Sequence, residues 1–298
     1  MPAFDDISRE IQEANNNTNA VRSKYLKLLS AKTGRNIIIY YSGWLQKGTQ
    51  SPNYEYSISD TDKTGFMTCI HGMDKKLGLD LILHTPGGSI PATESIVYYL
   101  KSEFNNNIRA IVPQIAMSAG TMIALACKEI VMGKQSNLGP IDPQYGLYRA
   151  HGIIDEFNHA VQCANSNSPE FYVWQTILQK YDPTLIGECQ KTITWSDSLV
   201  KEWLVQNMFN GEAQPELMAE KVVADLGSHA LTLSHSRHIH ADHLKGLGVK
   251  IMDMELDQEL QDLVLSVHHA AIISMNLSRT YKIIENHNGK LFVQNTVE

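Results

Sequence analysis

A serine that follows a short apolar run and opens a helix can act as a nucleophile, and this chain carries one at Ser118, within Ala116-Met117-Ser118-Ala119-Gly120-Thr121. The residues from Ala119 to Cys127 are small and apolar enough for a buried helix, so Ser118 falls at its first turn. Unpaired N–H groups and the positive end of the helix dipole favour a developing negative charge there, which suits attack on a carbonyl. A helix-opening serine can equally serve as an N-cap. Upstream, the apolar run Leu81-Ile82-Leu83 ends in His84-Thr85-Pro86-Gly87-Gly88-Ser89, where proline and two glycines make a tight turn able to offer bare N–H groups to a ligand.

A serine hydroxyl is a weak nucleophile until a neighbouring base takes its proton, and the base is normally oriented by a third group. Two downstream regions offer such groups. Ser136-Asn137-Leu138-Gly139-Pro140-Ile141-Asp142-Pro143-Gln144 places the Asp142 carboxylate in a rigid loop, and His235-Ser236-Arg237-His238-Ile239-His240-Ala241-Asp242-His243 supplies imidazoles. Histidines a few residues apart can share a zinc ion, but no cysteine or acidic pair completes a set around His235, His238, His240 and His243. No metal site is expected from them. Cys69, Cys127, Cys163 and Cys189 are widely spaced with no CxxC, which speaks against both a zinc knuckle and a disulfide framework.

The elements that must position these groups alternate. Asn36-Ile37-Ile38-Ile39-Tyr40-Tyr41, the run ending at His84, Ile108-Arg109-Ala110-Ile111-Val112-Pro113 and Glu129-Ile130-Val131-Met132-Gly133 read as strands. Helices are expected over Thr64–Gly72 and Ala92–Phe104 and after Ser118, with a loop over Lys47–Lys63. The fold class is therefore α/β, a mostly parallel sheet flanked by helices, with sites at the carboxyl ends of its strands. Helical spacing predicts Ile7–Lys32, interrupted at Asn15–Asn19, and a helical C-terminal half over Gly152–Asn165, Pro169–Lys180, Thr194–Met208, Ala213–Leu226 and Leu256–Ser278. The last helix carries an apolar stripe at Leu256, Leu260, Leu263, Val267, Ala271 and Met275 that reads as core. Asn288-Gly289 between two short apolar runs predicts a type I′ hairpin. With no repeat, low-complexity tract or linker, 1–298 reads as a single domain with an N-terminal helix 1–35 and a C-terminal helix plus hairpin 255–298.

With 298 residues, 43% of them hydrophobic, the chain can bury a sizeable core. A formal net charge of −7 and the absence of a Lys/Arg block exclude a nucleic-acid surface. No stretch approaches the roughly 20 apolar residues a membrane span needs, and Met1-Pro2-Ala3-Phe4-Asp5-Asp6 lacks the regions of a signal peptide. The expected location is the cytoplasm.

Taken together, His84-Thr85-Pro86-Gly87-Gly88, Met117-Ser118-Ala119-Gly120-Thr121, Leu138-Gly139-Pro140-Ile141-Asp142-Pro143-Gln144 and Ser234-His235-Ser236-Arg237-His238-Ile239 resemble the serine dehydrogenase proteinase (SDH) family of Clp-fold serine peptidases. Leu244–Gly248 and Lys282–Lys290 are similar too, so the resemblance runs from about Asn36 to Val293. It implies a Clp/crotonase-like fold, a Ser, Asp, His triad falling on Ser118, Asp142 and His235, and an oxyanion hole of the Gly88 and Ala119 amides. It also implies a homo-oligomer acting on peptide or protein substrates without a cofactor. The related Clp proteases carry a histidine where this chain has Asp142, and signal-peptide-peptidase-A-type enzymes use a Ser/Lys dyad, for which Lys180 is the alternative base. The expected function is a serine endopeptidase. Its rivals are a crotonase-like acyl-CoA enzyme, which would want an acidic acid/base residue and an adenine-binding loop, and a non-catalytic pseudo-peptidase scaffold.

Overall fold

The computed structural model describes residues 2–48, 55–146, 148–227 and 234–296. Its strands, in chain order, are β1 (Asn36–Ser42), β2 (Leu79–His84), β3 (Ile108–Val112), β4 (Ile115–Ala116), β5 (Glu129–Met132), β6 (Asn137–Leu138), β7 (Gln144–Tyr145), β8 (Tyr148–Arg149), β9 (Ile251–Asp253), β10 (Thr280–Asn286) and β11 (Leu291–Asn295). Seven of them form one sheet in the order β11-β10-β1-β2-β3-β5-β9. From β1 to β9 every neighbouring pair is parallel, while β10 runs antiparallel to β1 and to β11.

β1 and β2 are buried along their whole length, as strands covered on both faces must be. Their alternate residues divide between two cores. Ile38, Tyr40, Leu81 and Leu83 pack with Phe66, Ile96, Leu100 and Met122, which belong to the helices Asp60–Ile70, Ile90–Phe104 and Ala119–Leu125. Ile37, Ile39, Tyr41 and Ile82 pack on the other face with Leu26, Leu29, Val264 and Val267 of the helices Thr18–Thr33 and Gln258–Leu277. One charge lies inside β2: Asp80 is fully buried and accepts from Arg35 Nε and Arg109 Nη2, each at 2.6 Å. Two guanidinium groups offset the desolvation of that carboxylate.

Several expected boundaries move. The N-terminal helical stretch starts earlier, at Phe4, and breaks within the expected Asn15–Asn19 interruption into Phe4–Glu13 and Thr18–Thr33, where Asn15 and Asn16 adopt left-handed φ values of 55° and 61°. The helix expected from Thr194 begins at Leu185 and ends at Trp203, passing into a π-helical turn over Leu204–Met208. Leu256 does not extend the final core stripe: it precedes the Asp257 N-cap and is 81% exposed. The β10–β11 hairpin forms, but its turn is not type I′. That type needs positive φ at both central residues, and here only Gly289 has it, at 84°. The Gly289 N–H donates to the Asn286 carbonyl at 3.1 Å. β9 is too short for periodicity to announce it, and the stretch read as the loop Lys47–Lys63 ends in an ordered strap that pairs with the Gly-Gly turn.

Candidate active site

Beyond the main sheet the chain pairs a second time, and this minor ladder positions the groups singled out in the sequence. Ile58 bridges Gly88, Thr85 bridges Ala116, β4 pairs in parallel with β6, and Leu138 of β6 bridges Ile239. Each rung carries one part of the site. The Gly-Gly turn leaves the first, Ser118 follows β4, Asp142 follows β6, and His235 precedes the last.

Ser118 stands at the start of the helix Ala119–Leu125 with φ 51° and ψ −116°, and its side chain makes no capping hydrogen bond. A positive φ at a non-glycine residue is held by its surroundings at a cost of about 1–3 kcal/mol and lifts the hydroxyl clear of the helix end. The surroundings here are close. The Met117 N–H donates to the Thr85 carbonyl at 3.0 Å, and the whole helix is buried. Thr121 Oγ1 donates to the Ala116 carbonyl and accepts the Gly139 N–H, both at 2.9 Å, tying the serine's turn to the loop that carries Asp142.

The turn at Gly87 and Gly88 requires glycine. Gly87 has φ 99°, and a Cβ there would stand 2.7 Å from Ser118 Cβ; at Gly88, φ 156°, it would stand 2.2 Å from the Ile58 nitrogen. The Gly87 N–H is engaged by Thr85 Oγ1 at 3.2 Å. The Gly88 and Ala119 N–H groups have no acceptor among the described residues. Ala119 directly follows Ser118, and Gly88 lines the same cavity as Ser118.

Asp142 and His235 meet. His235 Nδ1 lies 2.8 Å from Asp142 Oδ1, with the carboxylate fully buried and the imidazole 17% exposed. The antiparallel bridge between Leu138 and Ile239 explains the match, because Asp142 lies four residues beyond the first and His235 four residues before the second. Asp142 Oδ2 faces Arg149 Nε at 3.7 Å. Ser118, His235 and Gly88 line one cavity of about 690 Å³, together with Ile58, Pro143 and Trp195.

Lys180 is placed elsewhere. It is exposed and lines a separate cavity of about 620 Å³ with Tyr148, Arg149 and Tyr181. His238, His240 and His243 are exposed, and among the described residues they bring no third donor together with His235. His243 Nε2 instead pairs with Asp225 Oδ1 at 2.6 Å. His84, the first residue of its motif, is fully buried against Tyr41, Trp44 and His268, and burial takes its imidazole down to about 3.

The strap Ser57–Ser59 and the pairing that anchors it were not visible in the sequence. Lys282 of β10 is fully buried, with Nζ 2.9 Å from Asp62 Oδ1 and 2.9 Å from the Ser57 carbonyl. Asp62 Oδ2 accepts from Tyr40 Oη and from the Ser59 N–H, both at 2.9 Å. Lys282 and Asp62 are 220 residues apart, beyond any local spacing rule.

The mostly parallel sheet flanked by helices is the fold of a ClpP-like protein. The chain belongs to the ClpP-like SDH-type serine proteinases, whose family model matches residues 12–269. Two proteins of Methanocaldococcus jannaschii are similar to it. Uncharacterized protein MJ1495 is 30% identical over 200 residues, covering 67% of this chain and 60% of that protein. Uncharacterized protein MJ0137 is 38% identical over 134 residues, covering 45% of this chain and 46% of that protein. The chain thus matches about half to three fifths of the length of these relatives. No helix among the described residues is long and apolar enough to cross a membrane.

Proposed function

We propose that the protein is a serine endopeptidase in which Ser118 is the nucleophile, His235 the general base and Asp142 the residue that orients it. With Nδ1–H held by the Asp142 carboxylate, the free lone pair of His235 is on Nε2, the nitrogen available to a serine hydroxyl. Ser118 Oγ attacks the peptide carbonyl while His235 Nε2 takes the hydroxyl proton. The tetrahedral oxyanion accepts the Gly88 and Ala119 N–H groups, and the proton passes to the leaving amine as the C–N bond breaks. Water then attacks the acyl-Ser118 ester, and His235 takes and returns a proton in the same way, releasing the acid.

The observation that supports this reading best is the convergence of Ser118, the bare Gly88 amide and the Asp142-paired His235 on one cavity. The exposed Lys180, in another cavity, favours the His235 imidazole over a lysine amine as base. Assembly into a homo-oligomer in the cytoplasm belongs to the same reading, and light scattering of the purified chain checks the assembly.

A fluorophosphonate probe, which reacts only with an activated serine, should label the wild-type protein once per chain and fail on Ser118→Ala with an unchanged circular dichroism spectrum. Labelling that survives the substitution would require another nucleophile. A folded wild type that resists the probe would favour the pseudo-peptidase reading.

A further inference from the structure

We propose that His159, Cys163 and Glu170 form a zinc(II) site on the helical half of the molecule, away from the catalytic cavity. His159 and Cys163 are four residues apart on the helix Ala150–Asn165 and share one face, and Glu170 returns to them from the loop that follows. Cys163 Sγ is 3.7 Å from His159 Nε2 and 3.7 Å from Glu170 Oε2, and His159 Nε2 is 3.6 Å from Glu170 Oε2. The three donor atoms therefore make a nearly equilateral triangle. Tetrahedral zinc, with bonds of about 2.3 Å to sulfur and about 2.0–2.2 Å to nitrogen and oxygen, sets its ligand atoms about 3.4–3.6 Å apart. The triangle needs to contract by only a few tenths of an ångström to take the ion, leaving a fourth position to water.

The loop that returns Glu170 is held in place. Asn167 takes a left-handed φ of 53°, and the Ser168 N–H donates to the Cys163 carbonyl at 2.9 Å, which closes the helix end. The Glu170 N–H donates to Ser168 Oγ at 3.3 Å. One soft thiolate with an imidazole and a carboxylate suits zinc better than calcium or magnesium, which take oxygen ligands. The wide spacing of the four cysteines excludes a CxxC site but does not bear on one with a single thiolate.

The ion would also supply what the next helix lacks. Phe171–Leu178 begins directly after Glu170, is largely apolar, and buries none of its residues. Phe171, Trp174, Ile177 and Leu178 are half-buried along one side, so this eight-residue helix is held by a partly covered face only, and helices draw most of their stability from packing. A metal joining Glu170 to His159 and Cys163 would fasten its first turn to the preceding helix.

The test is zinc binding to the full chain after treatment with a chelator, followed by isothermal titration, with cobalt(II) as a spectroscopic substitute. The expected result is one zinc per chain whose affinity falls at least tenfold in each of His159→Gln, Cys163→Ser and Glu170→Gln. The cobalt form should show a thiolate-to-metal charge-transfer band and tetrahedral visible bands, both absent in Cys163→Ser. Trp174 stacks edge-on against His159 with ring centroids 5.4 Å apart, so zinc should change tryptophan emission in the wild type and not in Trp174→Phe. Zinc should also slow protease cleavage within 170–178. His159 and Glu170 are half or more exposed, so their variants should fold, and circular dichroism verifies this. No zinc uptake at micromolar concentration, or uptake that Cys163→Ser leaves unchanged, would overturn the proposal.

Discussion

The Ile58 N–H donates to the Gly87 carbonyl at 2.7 Å, and this bond aims the neighbouring amide. In a trans peptide the C=O and N–H point opposite ways, so a Gly87 carbonyl turned toward Ile58 turns the Gly88 N–H away from it. The Ile58 carbonyl holds the other side by accepting the Ser89 N–H at 2.9 Å. The strap around Ile58 is in turn anchored on the buried Lys282–Asp62 pair, so a charge on β10 governs a donor at the candidate site.

Lys282→Met should therefore destabilise the fold by about 3–5 kcal/mol, because it leaves Asp62 as a buried, uncompensated charge. Adding Asp62→Leu removes that charge and should recover most of the stability. Activity should stay low in the double variant, since Ser57 and Ser59 have both lost their anchor. Urea denaturation and peptidase assays on the two variants separate these effects, and full activity in the double variant would contradict the strap's role.

Ser118 can be replaced in two ways that differ in strain. Both Ser118→Ala and Ser118→Gly should be inactive, but glycine accepts φ 51° without a clashing Cβ. Ser118→Gly should thus be more stable than Ser118→Ala by on the order of 1 kcal/mol. Paired thermal melts measure the difference.

The two candidate bases make opposite claims on activity. His235→Gln should lower kcat by roughly 10²–10⁴, the usual contribution of a general base, while Lys180→Met should stay near wild type. Both variants should remain folded. Loss of activity in Lys180→Met alone would move the chain to the Ser/Lys arrangement.

Acid should unfold the protein partly through His84. Its imidazole, ordinarily near 6.5, is held at about 3 by burial, so between these values the unfolded chain binds a proton that the folded chain does not. Stability is therefore retained above about 6.5 and falls by about 1.4 kcal/mol for each pH unit below it, until the folded value is reached. His84→Phe keeps a ring against Tyr41 and Trp44 but cannot be protonated, and should show a shallower decline. Urea midpoints at neutral pH and at pH values below 6.5 test this, and equal slopes for the two proteins would refute it.

The sheet was legible where strands are long and apolar. Asn36–Ser42 and Leu79–His84 are buried on both faces, and such runs announce themselves without reference to the rest of the chain. The three-residue β9 was not legible, because so short a strand is made by its neighbour β5 rather than by its own pattern. Leu256 failed for a related reason: its spacing fits the helix after it, but Asp257 caps that helix and cuts the stripe short. Gly87 and Gly88 stood out because only glycine tolerates the close approach of Ser118 and Ile58. The pairing of Lys282 with Asp62 was not legible, since nothing local shows that a lysine will be buried beside an aspartate from a distant helix.

By itself the sequence determined the class of fold, the two glycine- and serine-bearing turns at strand ends, and the short list of groups that could act there. These follow from local periodicity and from backbone conformations that only certain residues accept. The tertiary structure alone decided that Asp142 faces His235, that Lys180 lies in a different cavity, and that His159, Cys163 and Glu170 converge. Such pairings are set by strand register and by how helices close back on themselves, and those depend on the packing of the whole chain rather than on any one segment.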